Sequence, residues 1–187
     1  EIFSAGREVF ADKGYKHTNI SEVAKKAGIA VGTFYNYYQS KEALFVDVYI
    51  KENQKLKRRI REEVEVKDDP VTMVVKMVTK NANEMNSNLI LKEWYNKELF
   101  RKLEKYFYEQ GEFNNVQESG VDDMKAMVRQ WKQEGLLRWD IDDDMILAIF
   151  KSIPYIDIHK DDIGVEFFPQ IILYITEFIM KGLTEKN

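Results

Sequence analysis

The sequence predicts an all-α protein, in which a three-helix amino-terminal domain precedes a larger helical domain. Helix-breaking residues are scarce, because the 187 residues include only nine Gly and three Pro. Apolar residues recur at helical spacing along most of the chain. With 44% apolar and 32% charged residues, the composition is typical of a globular chain that buries a full core.

The segment 20–38 organises the amino-terminal part, because it predicts two short helices joined by a turn. An amphipathic helix over 2–13 precedes it. Asn19 can cap the first of the two short helices, and Glu22 can complete a capping box. Gly28 lies where that helix must stop, since glycine accepts the left-handed conformation of a sharp exit. Two short helices joined in this way predict a helix-turn-helix motif.

The second short helix is predicted to begin near Gly32 and to turn Phe34 and Tyr38 into the core. Residues near the start of such a helix reach base edges in the major groove, while side chains beside it hold phosphates. The predicted base-reading residues are Val31, Gly32, Thr33 and Asn36, of which Asn36 can bind adenine with two hydrogen bonds. The predicted phosphate contacts are Asn19, Ser21, Tyr35, Tyr37 and Lys41, although Tyr35 and Tyr37 taken alone are ordinary surface aromatics.

A long helix is predicted from Lys41, capped by Ser40. The basic residues between Lys51 and Arg61 are interpreted as a solvated helix face. Its buried stripe is predicted to consist of Leu44, Phe45, Val48, Tyr49, Leu56, Ile60 and Val64.

Pro70 begins the next predicted helix, after a charged break at 67–69. Further helical segments are predicted over 89–108, from about Met124 to Gly135, over 145–158 with a kink at Pro154, and over 165–183. A loop is predicted between Gly111 and Gly120, a turn over 159–164, and acidic caps over 140–144.

Four segments together resemble the amino-terminal domain of TetR-family transcriptional regulators: FADKGY at 10–15, TNISEVA at 18–24, AGIAVGTFYNYY at 27–38 and SKEALF at 40–45. The resemblance implies a helix-turn-helix DNA-binding domain over 1–45 and a helical ligand-binding and dimerisation domain over 46–187. It also implies a homodimer on a pseudo-palindromic DNA operator, controlled by a small-molecule effector. Because members of the family begin several residues earlier, the natural chain is expected to start before Glu1.

The last two predicted helices carry more than one apolar face. A second apolar face favours burial against another subunit, as in the four-helix dimer interface that the resemblance implies. The alternative is that both faces are buried within one protomer. The candidate interface residues are Ile149, Ile153, Phe168, Ile171, Ile175 and Phe178.

Methionine and aromatic residues of the middle helices are candidates for an effector pocket. Such stripes at helical spacing more often belong to the core, so both interpretations stay open. The candidates are Met73, Met77, Trp94, Tyr95, Phe107, Met127 and Trp131.

Charge and cysteine content limit the possible partners. The net charge is −4, but residues 1–45 carry one more cation than anions, so the motif rather than the charge indicates DNA. The absence of cysteine excludes disulfides and fits the expected cytoplasmic location. No apolar run approaches the ~18 to 20 residues of a membrane span, so no membrane partner is expected.

Catalysis, metal binding and cofactor binding are not expected. His17 and His159 lack a metal-ligand partner at helical spacing, and the acidic pairs lie at predicted helix starts, where capping explains them. The sequence has no Gly-rich phosphate loop and no nucleophile elbow. With no catalytic motif to oppose it, the resemblance implies a DNA-binding repressor that an effector releases. The alternative is a helical ligand-binding or interaction protein without specific DNA reading.

Overall fold

The structure, a computed structural model, describes residues 1–63, 69–110, 121–168 and 170–185. These residues form helices with no β-strand among them, as predicted. The predicted burial of Val64 and the predicted loop between Gly111 and Gly120 lie outside the described residues. The α-helices are α1 (Ile2–His17), α2 (Ile20–Lys26), α3 (Val31–Tyr35), α4 (Lys41–Glu63), α5 (Pro70–Ser87), α6 (Lys97–Gln110), α7 (Val121–Gln133), α8 (Asp143–Ile158), α9 (Lys160–Ile163) and α10 (Gln170–Thr184).

The chain divides into two compact units. The first unit combines Glu1–Leu56 with the described part of Glu84–Val116, and the second combines the described parts of Lys57–Asn83 and Gln117–Asn187. The functional boundary predicted at residue 45 falls inside α4. The segment 84–110 therefore belongs structurally with the helix-turn-helix.

An aromatic cluster forms the core of the first unit. The Phe10 and Tyr15 rings both meet Phe45, each at 5.0 Å between ring centroids. Phe34 is fully buried, as predicted, while Tyr38 is half-buried and donates its hydroxyl to Asp47 at 3.0 Å. Along α4, the predicted stripe is confirmed for the described residues Leu44, Phe45, Val48, Tyr49, Leu56 and Ile60.

Several predicted helix ends are confirmed by hydrogen bonds. The Ser40 hydroxyl accepts from the Ala43 N–H at 3.1 Å at the start of α4. Asp69 accepts from the backbone of Val71 and Thr72, which leaves Pro70 as the first residue of α5. These local signals fix where the helices begin.

The predicted helical segment over 89–108 is interrupted. A 3₁₀ helix covers Leu91–Tyr95, and α6 begins at Lys97. Between them Asn96 is extended (φ −83°, ψ 102°), and its side-chain oxygen accepts from the Leu99 N–H at 3.2 Å. Asn96 is therefore the cap of a new helix, which helical periodicity alone does not reveal.

The last helix begins at Gln170 rather than at residue 165. A 3₁₀ turn covers Val165–Phe167, and α10 follows. Phe168 precedes Pro169 in the sequence, and the residue before a proline is disfavoured in the α region. The turn predicted over 159–164 contains the short helix α9, which ends at Gly164 with φ +125°.

The second unit has a mixed aliphatic and sulfur-rich core. Helix α8 packs against both α7 and α10, and Pro154 lies within the single helix α8. The core cluster contains Met73, Val74, Val128, Trp131, Leu137, Ile146, Met180 and Leu183. Over the described part of the chain, no helix has the length and apolar character that crossing a membrane requires.

Candidate nucleic-acid interface

Asn19 begins the helix-turn-helix as the cap of α2. Its backbone is extended (φ −120°, ψ 154°), and its side-chain oxygen accepts from the Glu22 N–H at 2.9 Å. The predicted cap is therefore confirmed. The reciprocal half of the predicted capping box is not formed, because the Glu22 carboxylate pairs with Lys13 of α1. This ion pair holds α2 against α1.

Gly28 turns the chain out of α2. Its φ of +70° lies in the left-handed region, and the Ile29 N–H closes the turn on the Ala24 carbonyl at 3.0 Å. A Cβ at position 28 would meet nothing within 4 Å. Glycine is therefore favoured by the backbone angle and not by a lack of space.

Helix α3 presents one face to the core and the opposite face to solvent. Phe34 is buried, and the Tyr35 ring meets it edge-on at 5.3 Å. Tyr35 and Tyr37 are 53% and 72% exposed. Of the predicted base-reading residues, Val31, Gly32 and Thr33 lie on α3, whereas Asn36 is the residue that caps its carboxyl end. Val31, Gly32 and Asn36 are exposed and Thr33 is half-buried.

The backbone at the start of α3 is accessible to a bound molecule. Ala30 precedes the helix and makes no side-chain cap hydrogen bond. A Cβ at Gly32 would meet nothing within 4 Å, so this turn presents backbone with little side-chain cover. Asn19 and Ser21 are also exposed, at the start of α2.

Lys41 has a structural role that the sequence reasoning missed. Its ammonium donates to the carbonyls of Tyr15 and Thr18, each at 2.9 Å, and lies 4.2 Å from the centre of the Tyr15 ring. The Tyr15 hydroxyl in turn donates to Glu42 at 2.6 Å. Burial lowers the pKa of Lys41, whereas the negative charge of Glu42 opposes that shift. Lys41 therefore fastens the end of α1 to α4, and one of its three N–H donors remains beyond these two bonds.

Exposed cations of α4 partly pair with carboxylates. Lys55 lies 3.1 Å from Glu52, and Arg61 lies 3.1 Å from Asp123. Glu52 itself is buried and accepts from Arg7 of α1 at 2.7 Å. The exposed Lys55 and Arg61 agree with a solvated helix face, and the Arg7–Glu52 pair ties α1 to α4.

The predicted effector residues belong to different units. Met73 and Trp131 are buried in the core cluster of the second unit, and Met77 and Met127 pack against it. Tyr95 belongs to the first unit, where its hydroxyl lies 3.7 Å from the sulfur of Met85. The side chains of the other two candidates, Trp94 and Phe107, lie outside the described part of the structure.

The predicted interface residues differ in exposure. Ile153 is only 6% exposed and packs within its own protomer, whereas Phe178 is 65% exposed. The sequence reasoning missed Tyr174, one helical turn before Phe178, whose ring stacks on that of Phe178 at 6.0 Å. The spacing of four residues was the available signal. The other candidates, Ile149, Phe168, Ile171 and Ile175, are half-buried.

Acidic residues of the second unit act as caps and ion-pair partners. Asp142 accepts from the Met145 N–H at 2.8 Å, which confirms the predicted acidic cap of α8. Asp143 pairs with the buried Lys132 at 2.8 Å. Among the described residues, no group of three His, Cys, Asp or Glu side chains could hold a metal ion.

The amino-terminal part of the chain is similar in sequence to known transcriptional regulators. Residues 2–48 match a model of the bacterial regulatory proteins of the tetR family. The "Fatty acid metabolism regulator protein" of Bacillus subtilis (strain 168) is 28% identical over 81 residues, which cover 43% of this chain and 42% of that relative. The "Uncharacterized HTH-type transcriptional regulator YvdT" of the same organism is 50% identical over 44 residues, which cover 24% of this chain and 23% of that relative. The chain thus matches less than half the length of these curated relatives.

Solved structures extend the likeness in fold over nearly the whole chain. The transcriptional regulator FadR from Bacillus subtilis, solved with stearoyl-CoA, has a TM-score of 0.63 at 17% identity and covers 98% of this chain and 96% of its own. RolR, solved with resorcinol, has a TM-score of 0.69 at 16% identity and covers 97% of this chain and 85% of its own. At such low identity these structures show a shared fold.

Proposed function

We propose that this chain, which belongs to the TetR family of bacterial regulatory proteins, is a sequence-specific DNA-binding repressor controlled by a small-molecule effector. The observation that carries the proposal is the solvent-facing surface of α3. Thr33 and Tyr35 on α3, together with Asn36 and Tyr37 directly after it, display a hydroxyl, an amide and two tyrosines around the buried Phe34. Such a helix fits the major groove and reads bases with its first residues.

Base reading is assigned to the start of α3 and to Asn36, which caps the end of this short helix. Gly32 allows the backbone to approach base edges closely, because it carries no Cβ. Thr33 offers a hydroxyl and a methyl group, and Asn36 can pair with the N6 and N7 atoms of adenine. Val31 is 40% exposed and can contact a thymine methyl group.

Phosphate binding is assigned to neutral donors and to Lys41. The exposed hydroxyls of Tyr35 and Tyr37 can donate to phosphate oxygens on either side of the groove. Asn19 and Ser21 lie exposed at the start of α2, where their side-chain amide and hydroxyl can donate to a phosphate. Because residues 1–45 carry only one excess positive charge, the salt dependence of binding should be shallow for a DNA-binding protein.

A homodimer is proposed to bring two such surfaces to one operator. The stacked and exposed pair Tyr174 and Phe178 on α10 forms an apolar face of the kind that protein interfaces bury. A symmetric dimer requires a pseudo-palindromic operator, with half-sites about 34–36 Å apart or a multiple of that distance. Ile153 is left out of this face because it is buried within its own protomer.

Effector control is proposed to reside in residues 46–187, with DNA reading in residues 1–45. FadR and RolR, which share this fold, were solved with stearoyl-CoA and with resorcinol. An effector of this chain would bind more tightly to a conformation in which the two helix-turn-helix motifs of the dimer do not fit the operator. A coupling free energy of ~1–3 kcal/mol suffices for this. The protein would act in the cytoplasm, where its operator lies.

Substitution of the base-reading side chains tests the proposal. Thr33→Ala and Asn36→Ala should each relax sequence preference at one operator position, with a loss of about 1–3 kcal/mol of discrimination. The matched control is Asn86→Ala, which removes an exposed amide from α5. Duplex selection on each variant measures the preference at every position. An unchanged preference in both the Thr33→Ala and Asn36→Ala variants would refute the assignment of α3 and its cap residue to base reading.

A further inference from the structure

A hydrogen bond joins the end of α1 to a residue 78 positions later. The Tyr15 N–H donates to Glu93 Oε1 at 3.3 Å. The other carboxylate oxygen, Glu93 Oε2, accepts from the side-chain amide of Asn96 at 3.1 Å. Asn96 also caps α6, so the Glu93 carboxylate is held between the 3₁₀ helix Leu91–Tyr95 and the start of α6.

Gly14 shapes the backbone that Glu93 contacts. Its angles (φ 72°, ψ 173°) lie in a region that is essentially restricted to glycine, and they turn the following peptide away from the helical direction. A Cβ at Gly14 would lie 3.4 Å from Glu93 Oε1. The Glu93 carboxylate therefore lies directly against the kink of α1.

Lys41 binds the backbone of Tyr15 at its carbonyl, whereas Glu93 binds it at its N–H. The Tyr15 backbone donates its N–H to Glu93 and accepts, at its carbonyl, from the Lys41 ammonium at 2.9 Å. Burial lowers the pKa of Lys41, while the negative charges of Glu42 and Glu93 oppose that shift. Glu93 and Lys41 are thus linked through one backbone position and through their charges.

We infer that Glu93 is a positioning residue for DNA binding, which fixes the Tyr15 backbone and thereby holds Lys41 where its remaining N–H can meet a phosphate. The inference rests on the proposed function, because it deepens the role assigned to Lys41. It places part of the DNA-binding machinery in segment 84–110. That segment lies outside the tetR-family match at residues 2–48 but inside the same compact unit.

Three substitutions at Glu93 separate the hydrogen bond from the charge. Glu93→Ala removes both, Glu93→Gln keeps an acceptor oxygen without the charge, and Glu93→Asp keeps the charge on a shorter side chain. Glu98→Ala is the matched control, because it removes an exposed carboxylate from the same segment that pairs with Lys102 and not with the Tyr15 backbone. Glu93→Asp also covers the case in which Glu93→Ala fails to fold.

The assay is the affinity of the full chain for a duplex that the wild-type protein enriches from a random pool, measured across a salt series. Glu93→Ala and Glu93→Asp should weaken binding about five- to tenfold, since an unpaired amide replaces a charge-assisted hydrogen bond. They should also lower the salt slope, which is the slope of the logarithm of the binding constant against the logarithm of the salt concentration. The expected change is about one released ion, because the Lys41 contact is misplaced. Glu93→Gln and Glu98→Ala should keep the wild-type slope. A purely structural role for Glu93 would change stability without changing the slope.

The outcomes distinguish this inference from the proposed function. If the wild-type protein enriches a duplex, and Glu93→Ala and Glu93→Asp bind it with the affinity and slope of Glu98→Ala, the inference is refuted and the repressor proposal stands. If Glu93→Gln loses the slope as Glu93→Ala does, the acceptor role is refuted. If the wild-type protein enriches no duplex, the proposed function fails, and the inference fails with it.

Discussion

Gly28→Ala is the substitution that most sharply tests the turn of the helix-turn-helix. Gly28 has φ +70°, and an added Cβ would meet nothing within 4 Å, so the only native-state cost is backbone strain. A non-glycine residue in the left-handed region costs roughly 1–2 kcal/mol. The lower backbone entropy of alanine in the unfolded chain returns about 0.4–1 kcal/mol. The expected net loss of stability is therefore about 1 kcal/mol.

Gly135→Ala is the matched control for this substitution. Gly135 follows α7 with φ +69°, and its added Cβ would also meet nothing within 4 Å. Both variants should shift the urea unfolding midpoint equally at a fixed protein concentration. Only Gly28→Ala should weaken operator binding, by about tenfold if a further 1.4 kcal/mol is needed to restore the angle between α2 and α3. Equal loss of operator binding in both variants, or a Gly28→Ala variant more stable than wild type, would refute this reasoning.

Three further predictions concern the first unit. Asn19→Ala removes the 2.9 Å cap of α2 and should cost about 1 kcal/mol in urea unfolding, and a loss below the error of the measurement would contradict the cap. Phe34→Ala should cost about 3–5 kcal/mol because Phe34 is fully buried, and near-wild-type thermal stability would contradict its place in the core. Although burial favours the neutral form of Glu52, its bonds with Arg7 and Lys55 hold the pKa of that carboxyl below its ordinary value of 4.5. The stability that ionised Glu52 contributes should thus be complete above pH 4.5 and be lost as the pH falls through the lowered pKa. Glu52→Gln should abolish that part of the acid dependence of urea unfolding.

The helix-turn-helix could be predicted because its determinants are local. Asn19 caps α2 through a residue three positions away, and Gly28 acts through its own backbone angle. Phe34 and its exposed neighbours follow from the period of a single helix. Ser40 likewise caps α4 across three residues. Features that depend on residues only a few positions apart can be predicted from the sequence alone.

The contacts that the sequence reasoning missed depend on tertiary structure. Glu93 reaches the Tyr15 backbone across 78 positions, and nothing in the local pattern of the 3₁₀ helix indicates that partner. The role of Lys41 was missed for a related reason, because the carbonyls that accept from its ammonium belong to Tyr15 and Thr18, which lie 26 and 23 positions earlier in the chain. Asn96 looked like one polar position within a helical period, although it caps a separate helix.

The candidate effector residues show why composition is a weak guide to pockets. Met73 and Trp131 satisfy the pattern of a ligand pocket and of a packed core equally, and the structure places them in the core cluster of the second unit. Tyr95 was a candidate on the same grounds, as an aromatic residue of the middle helices, but it belongs to the first unit. Helical spacing identifies an inward-facing side chain, but it does not indicate what that side chain meets.

Selection of random duplex DNA on the full-length protein, at two salt concentrations, tests the central claim most directly. The account predicts enrichment of an inverted repeat at both concentrations, with weaker binding at the higher one. Recovery of no preferred sequence, with binding that disappears at higher salt, would contradict it. Such a result would mean that α3 contacts only phosphates and does not read bases.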